Sequence, residues 1–524
     1  MTDAARLAGR RVVRSFEGTR PTPGILDAIA RGRAGGVALY RGLNVESPDQ
    51  LARLTAALQA ARPRGDPPLL IALDQEGGQL QAFGEGATPW PGNLALGAAG
   101  STELAERAAS AIGRELAAVG VNTVWAPVCD LLLDQSVVLG TRPFGDDAVA
   151  VGELAAATVR GFRAAGVAAT MKHVPGHGTA TADSHYDLPV VEAGAAELER
   201  HLVPVAAAVG AEVPLAMVAH VAVPTVVGDR TTPATFAPAI VEDVLRDRLG
   251  FRGVSVSDAL NMGALGDLSD APRHAVRGAA AGLDLLLLLH PPDIEDAATR
   301  AVGAAIADRR IAPDRAAAAE ARIERLRRGF PRPDERDPRR LAVVGCAEHR
   351  ALAREIAEAS VTLVRDSQGS LPLSVGPVLV VAPRPVDLTP ADTSSYLQLG
   401  LADALRERGL EAESLEMPLD PSSADVHGIV ARAAGRTVIC GTIDAAVHRG
   451  QAALVEALLA AGRPTVAVAL RTPYDLVAYP SVGTYACTFG IQPPSIEALA
   501  DALVGRIPFR GRLPVVLPMD AVAA

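Results

Sequence analysis

Residues Met171–Pro189 read MKHVPGHGTATADSHYDLP, and the organisation of the chain can be read outward from them. The stretch follows an apolar run, Val167–Met171, and places Lys172 and His173 where that run gives way to a Gly/His-rich loop. Lys172 is the only lysine among the 524 residues; the other 49 basic side chains are arginine. Arginine is a planar, delocalised fork and lysine a compact point charge. A lone lysine between a buried strand and a polar loop therefore reads as a required point charge, against the blander reading of a solvated surface cation. Three of the ten histidines, His173, His177 and His185, crowd into the same stretch.

The unit around Lys172, an apolar run, a polar loop and an Ala/Leu-rich helical pattern, recurs through the first 330 residues. The runs are Val12–Phe16, Gly36–Tyr40, Leu69–Asp74, Thr123–Asp130, Ala168–His173, Leu215–Val221, Val254–Asp258 and Asp284–Leu289. Near-continuous hydrophobicity fits parallel strands covered on both faces. Ser47-Pro48-Asp49-Gln50 offers an N-cap, a proline at N1 and a capping-box glutamine for one intervening helix. Eight such units predict an α/β fold, an N-terminal (β/α)8 barrel whose chemistry sits at the C-terminal ends of its strands. Those ends carry Asp74, Asp130, Lys172 with His173, His220, Asp258 and His290. Ionisable groups at strand after strand point to one polar pocket.

The breaker-rich FPRPDERDPRR, Phe330–Arg340, marks a linker. The expected division is a barrel over 1–330, a linker over 331–340 and a smaller α/β sandwich over 341–524. Strands are expected in the sandwich at Leu341–Gly345, Val361–Val364, Val378–Ala382, Thr437–Cys440, Thr465–Leu470 and Thr484–Phe489, and helices at Ser394–Arg408, Gly450–Ala461 and Ser495–Val504. The domain has no P-loop and no G-x-G-x-x-G. No acidic residue in it declares itself catalytic, so a shaping role is expected.

Composition narrows the class. Hydrophobic residues make up 49% and charged residues 21%, ordinary values for a globular protein. A net charge of −10 without a basic cluster argues against a nucleic-acid surface. The densest apolar run, Leu285–Leu289, is far too short to span a bilayer. Cys129, Cys346, Cys440 and Cys487 are scattered and read as reduced core residues. A cytoplasmic setting is expected.

The chemistry of the rim points to sugar. Asp258, ending a buried strand, is a candidate nucleophile or general base. Asp183 and His185, two residues apart, can pair so that the carboxylate fixes the imidazole tautomer. Asp74, Arg142, Lys172 and His173 supply hydrogen bonds for a polyhydroxylated ligand, a constellation that fits a glycosidase. A metal-dependent barrel hydrolase with His173, His177, Asp183 and His185 as ligands is the competing reading.

These motifs resemble glycoside hydrolase family 3, and within it the β-N-acetylglucosaminidase subgroup. The carriers are DQEGG (Asp74–Gly78), APVCD (Ala126–Asp130), GTRPFG (Gly140–Gly145), KHVPGHG (Lys172–Gly178), DSH (Asp183–His185), AHVAVP (Ala219–Pro224) and SDALNM (Ser257–Met262). ASVTLVRD, TPYDL and GRLPV extend the resemblance into the second domain. It implies that Asp258 is the nucleophile and that His185, paired with Asp183, is the acid/base. Asp74, Arg142, Lys172 and His173 would bind the sugar, and His220 would line the same pocket. No metal or cofactor is implied; the partner is a small carbohydrate, a β-GlcNAc glycoside. β-Glucosidase, dual-specificity and phosphorylase activities stay open, the last because a neutral imidazole, unlike a carboxylate, would not repel phosphate. Three positions depart from the pattern: Gln79 and Ala82 where arginines are usual, Pro143 where serine is common, and no asparagine between Asp130 and Gly140.

Overall fold

The structure, a computed structural model, describes residues 3–133, 139–177, 180, 182–289, 291–331 and 338–518. His290, residues 134–138 and most of the expected linker lie outside them.

All eight expected barrel strands form. They are β1 (Val12–Arg14), β2 (Gly36–Leu39), β3 (Leu70–Leu73), β4 (Thr123–Val124), β5 (Ala168–Val174), β6 (Leu215–Val218), β7 (Val254–Ser257) and β8 (Leu286–Leu287). They pair in parallel in the order β8-β1-β2-β3-β4-β5-β6-β7. A parallel bridge from Val256 to Leu285, with the Ser257 N–H donated to the Leu285 carbonyl at 3.1 Å, closes β7 onto β8. Strand side chains alternate between two apolar layers, as a period of two requires. Val13, Ala38, Ala72, Met217, Val256 and Leu287 belong to the barrel interior, while Val12, Leu39, Ile71, Val124 and Val218 face the surrounding helices. Both faces are dry, which explains the unbroken hydrophobic runs.

Local signals act as read, with one adjustment. Ser47 caps the helix Pro48–Ala60 by accepting from the Gln50 N–H. The Gln50 side chain reaches past the cap and accepts from the Glu46 N–H instead.

The C-terminal domain is a six-stranded sheet: β9 (Thr362–Asp366), β10 (Pro377–Pro383), β11 (Glu411–Met417), β12 (Thr437–Thr442), β13 (Thr465–Ala469) and β14 (Thr484–Cys487), in the order β9-β14-β13-β12-β10-β11. Only β9 is antiparallel to its neighbour. Helices Ser423–Arg432 and Arg449–Ala460 cover one face, and Leu401–Glu407 and Pro493–Leu503 the other. The first face also packs on Leu94, Ala95 and Ala98 of the barrel helix Asn93–Ala99, joining the two domains.

The structure departs from the expected elements at three places. Leu341–Gly345 is no strand: its first three residues end a 3-10 turn, Pro338–Val343, the last two continue as a turn, and Leu341 and Val344 pack on the barrel core. A short apolar run carries no periodicity to separate a strand from a buried turn. β11, whose alternating EAESLEM pattern belongs to a half-exposed edge strand, is an element the sequence reading omits. Ser394–Arg408 is not one helix but a turn, Ser394–Tyr396, and a short helix, Leu401–Glu407, separated at Leu397–Gly400.

Candidate active site

The C-terminal ends of the barrel strands open into a cavity of about 430 Å³, lined by Asp74, Arg142, Lys172, His173, His185 and Asp258 among others. β3 and β5 are separated only by β4, so their ends bring Asp74 and Lys172 together. The Lys172 ammonium lies 2.7 Å from Asp74 Oδ1 and 2.6 Å from Glu76 Oε1. Glu76 stands on the short hairpin after β3 and also receives Arg142 in a fork, Nε and Nη2 each at 2.9 Å. Burial alone would push the Glu76 carboxyl up; Arg142 and then Lys172 outweigh it and hold it at about 2. Burial opposes the charge on Lys172 as well, yet Asp74 and Glu76 raise its pKa. Removing one partner from such a buried cluster costs about 3–5 kcal/mol, because the survivors keep their desolvation penalty.

A second buried carboxylate holds the histidine-rich loop. Asp130 accepts from His173 Nδ1 at 2.7 Å, from the His173 N–H at 3.3 Å and from the His177 N–H at 2.7 Å. Burial is outweighed by these histidines, and the carboxyl falls to about 2. Anchoring Nδ1 leaves Nε2 as the His173 nitrogen for a ligand. His177 Nε2 meets Ser184 Oγ at 3.2 Å, and burial lowers its pKa to about 4.

Asp183 Oδ1 accepts from both the N–H and Nδ1 of His185, at 2.9 and 2.7 Å. The tautomer is thereby set, with Nε2 as the nitrogen that can give and take a proton. Asp258 accepts the Ala259 N–H at 2.8 Å. Burial raises its pKa, but His173, His220, the Ala259 N–H and His185 together bring it down to about 2. An ionised carboxylate and an oriented imidazole therefore face one cavity.

His220 is placed differently from the other expected binding residues. It is fully buried, with Nδ1 against Thr235 Oγ1 at 2.6 Å and Nε2 donating to the Ala259 carbonyl at 3.0 Å. It is absent from the cavity lining and touches the site through the backbone beside Asp258. Among the described residues no group of three or more His, Cys, Asp or Glu side chains converges as a metal-ligand set. Glu76, the buried carboxylate that pairs with both Arg142 and Lys172, is the one the sequence reading passed over, although it lies inside the quoted DQEGG.

Gln79 answers one departure from the pattern. Its Oε1 accepts from the Thr141 N–H at 2.8 Å, from the Thr141 hydroxyl at 3.1 Å and from Arg471 Nη2. Its carbonyl receives the N–H and hydroxyl of Thr393 at 2.7 and 2.9 Å. Arg471 in turn reaches Asp392 at 2.6 Å. The loop that carries Arg142 is thus anchored from the C-terminal domain, and Asp387, Asp392, Thr393 and Tyr396 of that domain line the cavity.

Residues 13–326 match the glycosyl hydrolase family 3 N-terminal domain. The chain belongs to glycosyl hydrolase family 3. This family-3 chain is 33% identical, over 91% of its length and 89% of the relative's, to a β-N-acetylglucosaminidase/β-glucosidase of Cellulomonas fimi. It is 37% identical to a β-hexosaminidase of Stenotrophomonas maltophilia strain R551-3, over 53% of this chain and 83% of that one. The structure of a family-3 β-N-acetylglucosaminidase from Paenibacillus sp. str. FPU-7 superposes with a TM-score of 0.90 at 34% identity, covering 98% of this chain and 99% of that one. The protein is an enzyme, a glycoside hydrolase with the two-domain family-3 fold. Among its described residues no helix is long and apolar enough to cross a membrane.

Proposed function

We propose that this family-3 enzyme is a retaining, exo-acting β-N-acetylglucosaminidase. The observation that carries the reading is the shared cavity of Asp258 and the Asp183–His185 pair. Asp258, ionised, attacks the anomeric carbon of a terminal β-linked GlcNAc. His185 Nε2 protonates the departing oxygen, and a covalent glycosyl-enzyme forms. His185, now neutral, takes a proton from water, which attacks the same carbon and releases the sugar with its β configuration kept. Asp74, Arg142, Lys172 and His173 hold the ring's hydroxyls; Asp183 keeps the imidazole oriented. The name of the Paenibacillus relative supports GlcNAc as the sugar, that of the Cellulomonas fimi relative pairs it with glucose, and that of the Stenotrophomonas maltophilia relative supports a hexosamine. Short chitin or cell-wall fragments are the natural substrates in this reading, and a cytoplasmic setting suits fragments that have been imported.

The test is release of nitrophenol from β-GlcNAc and β-glucoside substrates, with and without chelator, and the anomeric form of the first product by proton NMR. Equal rates on both sugars would remove the strict GlcNAc claim, strong chelator inhibition the metal-free mechanism, and an α product the retaining one. A second reading, transfer to phosphate, is favoured by the imidazole acid/base, whose neutral form does not repel an anion as a carboxylate would. Sugar 1-phosphate formed in phosphate buffer would support it; free sugar alone would end it.

A further inference from the structure

The mouth of the cavity holds a cation that the chemistry above leaves unused. Arg41 follows β2 at the C-terminal end of the barrel and lines the cavity, half-buried. Its guanidinium carbon lies 4.1 Å from the ring centroid of Tyr396, a residue of the C-terminal domain. Its Nη1 donates to the Gln81 carbonyl at 3.1 Å. On another side the chain runs so close at Gly84 that a Cβ there would stand 2.2 Å from the guanidinium carbon. The group is therefore seated between bare backbone and an aromatic face, in a set orientation.

What it lacks is an anion. The other cations lining the cavity, Arg142 and Lys172, each have a carboxylate within 2.9 Å. Among the described residues Arg41 has no Asp or Glu at ion-pair distance. Asp387, the acid that lines the mouth beside it, spends its two oxygens on the Ser395 N–H and hydroxyl, each at 2.7 Å. Asp387 and Glu85 act on Arg41 only from longer range. A partly desolvated, unpaired guanidinium with N–H groups to spare matches a carboxylate, its best bidentate acceptor. Tyr396, which lines the cavity, is 55% exposed.

We propose that Arg41 and Tyr396, one from each domain, form the subsite for the departing group and select glycosides whose aglycone carries a carboxylate. The proposal rests on the reading of Asp258 and His185 as the cleaving pair, since it assigns the mouth of their cavity to the group that leaves.

The test compares 4-carboxyphenyl and 4-carbamoylphenyl β-N-acetylglucosaminides, two aglycones of nearly equal shape that differ in charge. The intact enzyme should favour the carboxylate about tenfold in kcat/KM at low ionic strength, with the preference shrinking as salt is added. Arg41→Gln should bring the ratio close to one, and Arg41→Lys should keep part of it. Tyr396→Ala, which removes the face that seats the guanidinium, should also lower the ratio. A ratio near one in the unmodified enzyme, or a preference that survives Arg41→Gln, would overturn the subsite while leaving the glycosidase reading intact. Cleavage of neither glycoside would overturn that reading and the subsite with it.

Discussion

The Gly263 N–H donates to the carbonyl oxygen of His185 at 3.0 Å. A parallel contact runs from the Ala264 N–H to the Ser184 carbonyl at 3.1 Å. The loop with the proposed acid/base is thereby pinned to the segment just beyond Asp258, so the two groups proposed to act on one glycosidic bond share a backbone connection. Gly263 is fitted to this contact, because a Cβ there would stand 2.7 Å from the His185 oxygen.

If this pairing serves catalysis, Asp258→Ala should abolish turnover. His185→Ala should slow natural sugar aglycones by about 10²–10⁴-fold, the usual contribution of a general acid, and nitrophenyl substrates far less. Steady-state kinetics over a series of leaving groups checks this. A uniform loss across the series would remove His185 from the acid role.

Lys172→Arg keeps the charge and changes its shape. The ammonium sits within 2.7 Å of two carboxylates beside an arginine already forked onto one of them. A second planar fork has no room there, so kcat/KM should fall by about 100-fold, the scale of a misplaced positioning group. Near-wild-type kinetics of the variant would show that any cation suffices.

Glu76→Gln should destabilise the fold by about 3 kcal/mol, because Arg142 and Lys172 would lose the buried charge that offsets their desolvation. Urea denaturation measures it. The Glu76 carboxyl is depressed, to about 2, so its contribution is present above the unfolded value of about 4.3 and lost as pH falls toward 2. The variant should therefore lose stability less steeply than the parent over that acidic interval.

Asp475 gives the opposite sign. It is fully buried, and its Oδ1 accepts the Ala445 N–H at 2.9 Å. Burial, then Asp444, raises its carboxyl to about 7. A raised carboxyl contributes most below its unfolded value of about 3.9 and loses that contribution as pH rises through 7. Asp475→Asn, uncharged at any pH, should raise Tm more at pH 8 than at pH 5. An unchanged Tm at pH 8 would contradict the buried-charge account.

The barrel was legible because its strands are dry on both faces, so hydrophobic runs and their spacing carry it, and the ionisable residues closing most of the runs mark the end that opens into the cavity. Lys172, His173, Asp183, His185 and Asp258 could be picked out by type and position alone. The run Leu341–Gly345 misled because an apolar pentapeptide has no period. β11 hid for the opposite reason: an edge strand buries half its side chains, and EAESLEM looks like surface.

By itself the sequence determined the two-domain α/β architecture, the strand ends that open into the cavity, and the Asp183–His185 pair, since all of these rest on near neighbours in the chain. Tertiary structure decided the rest. Only the folded chain ties Glu76 to both Lys172 and Arg142, buries His220 behind the cavity wall, and sets Tyr396 over Arg41. The contact between Thr393 and Gln79 spans 314 residues. Pairings at such a separation are settled by how two domains pack, and no local pattern records that.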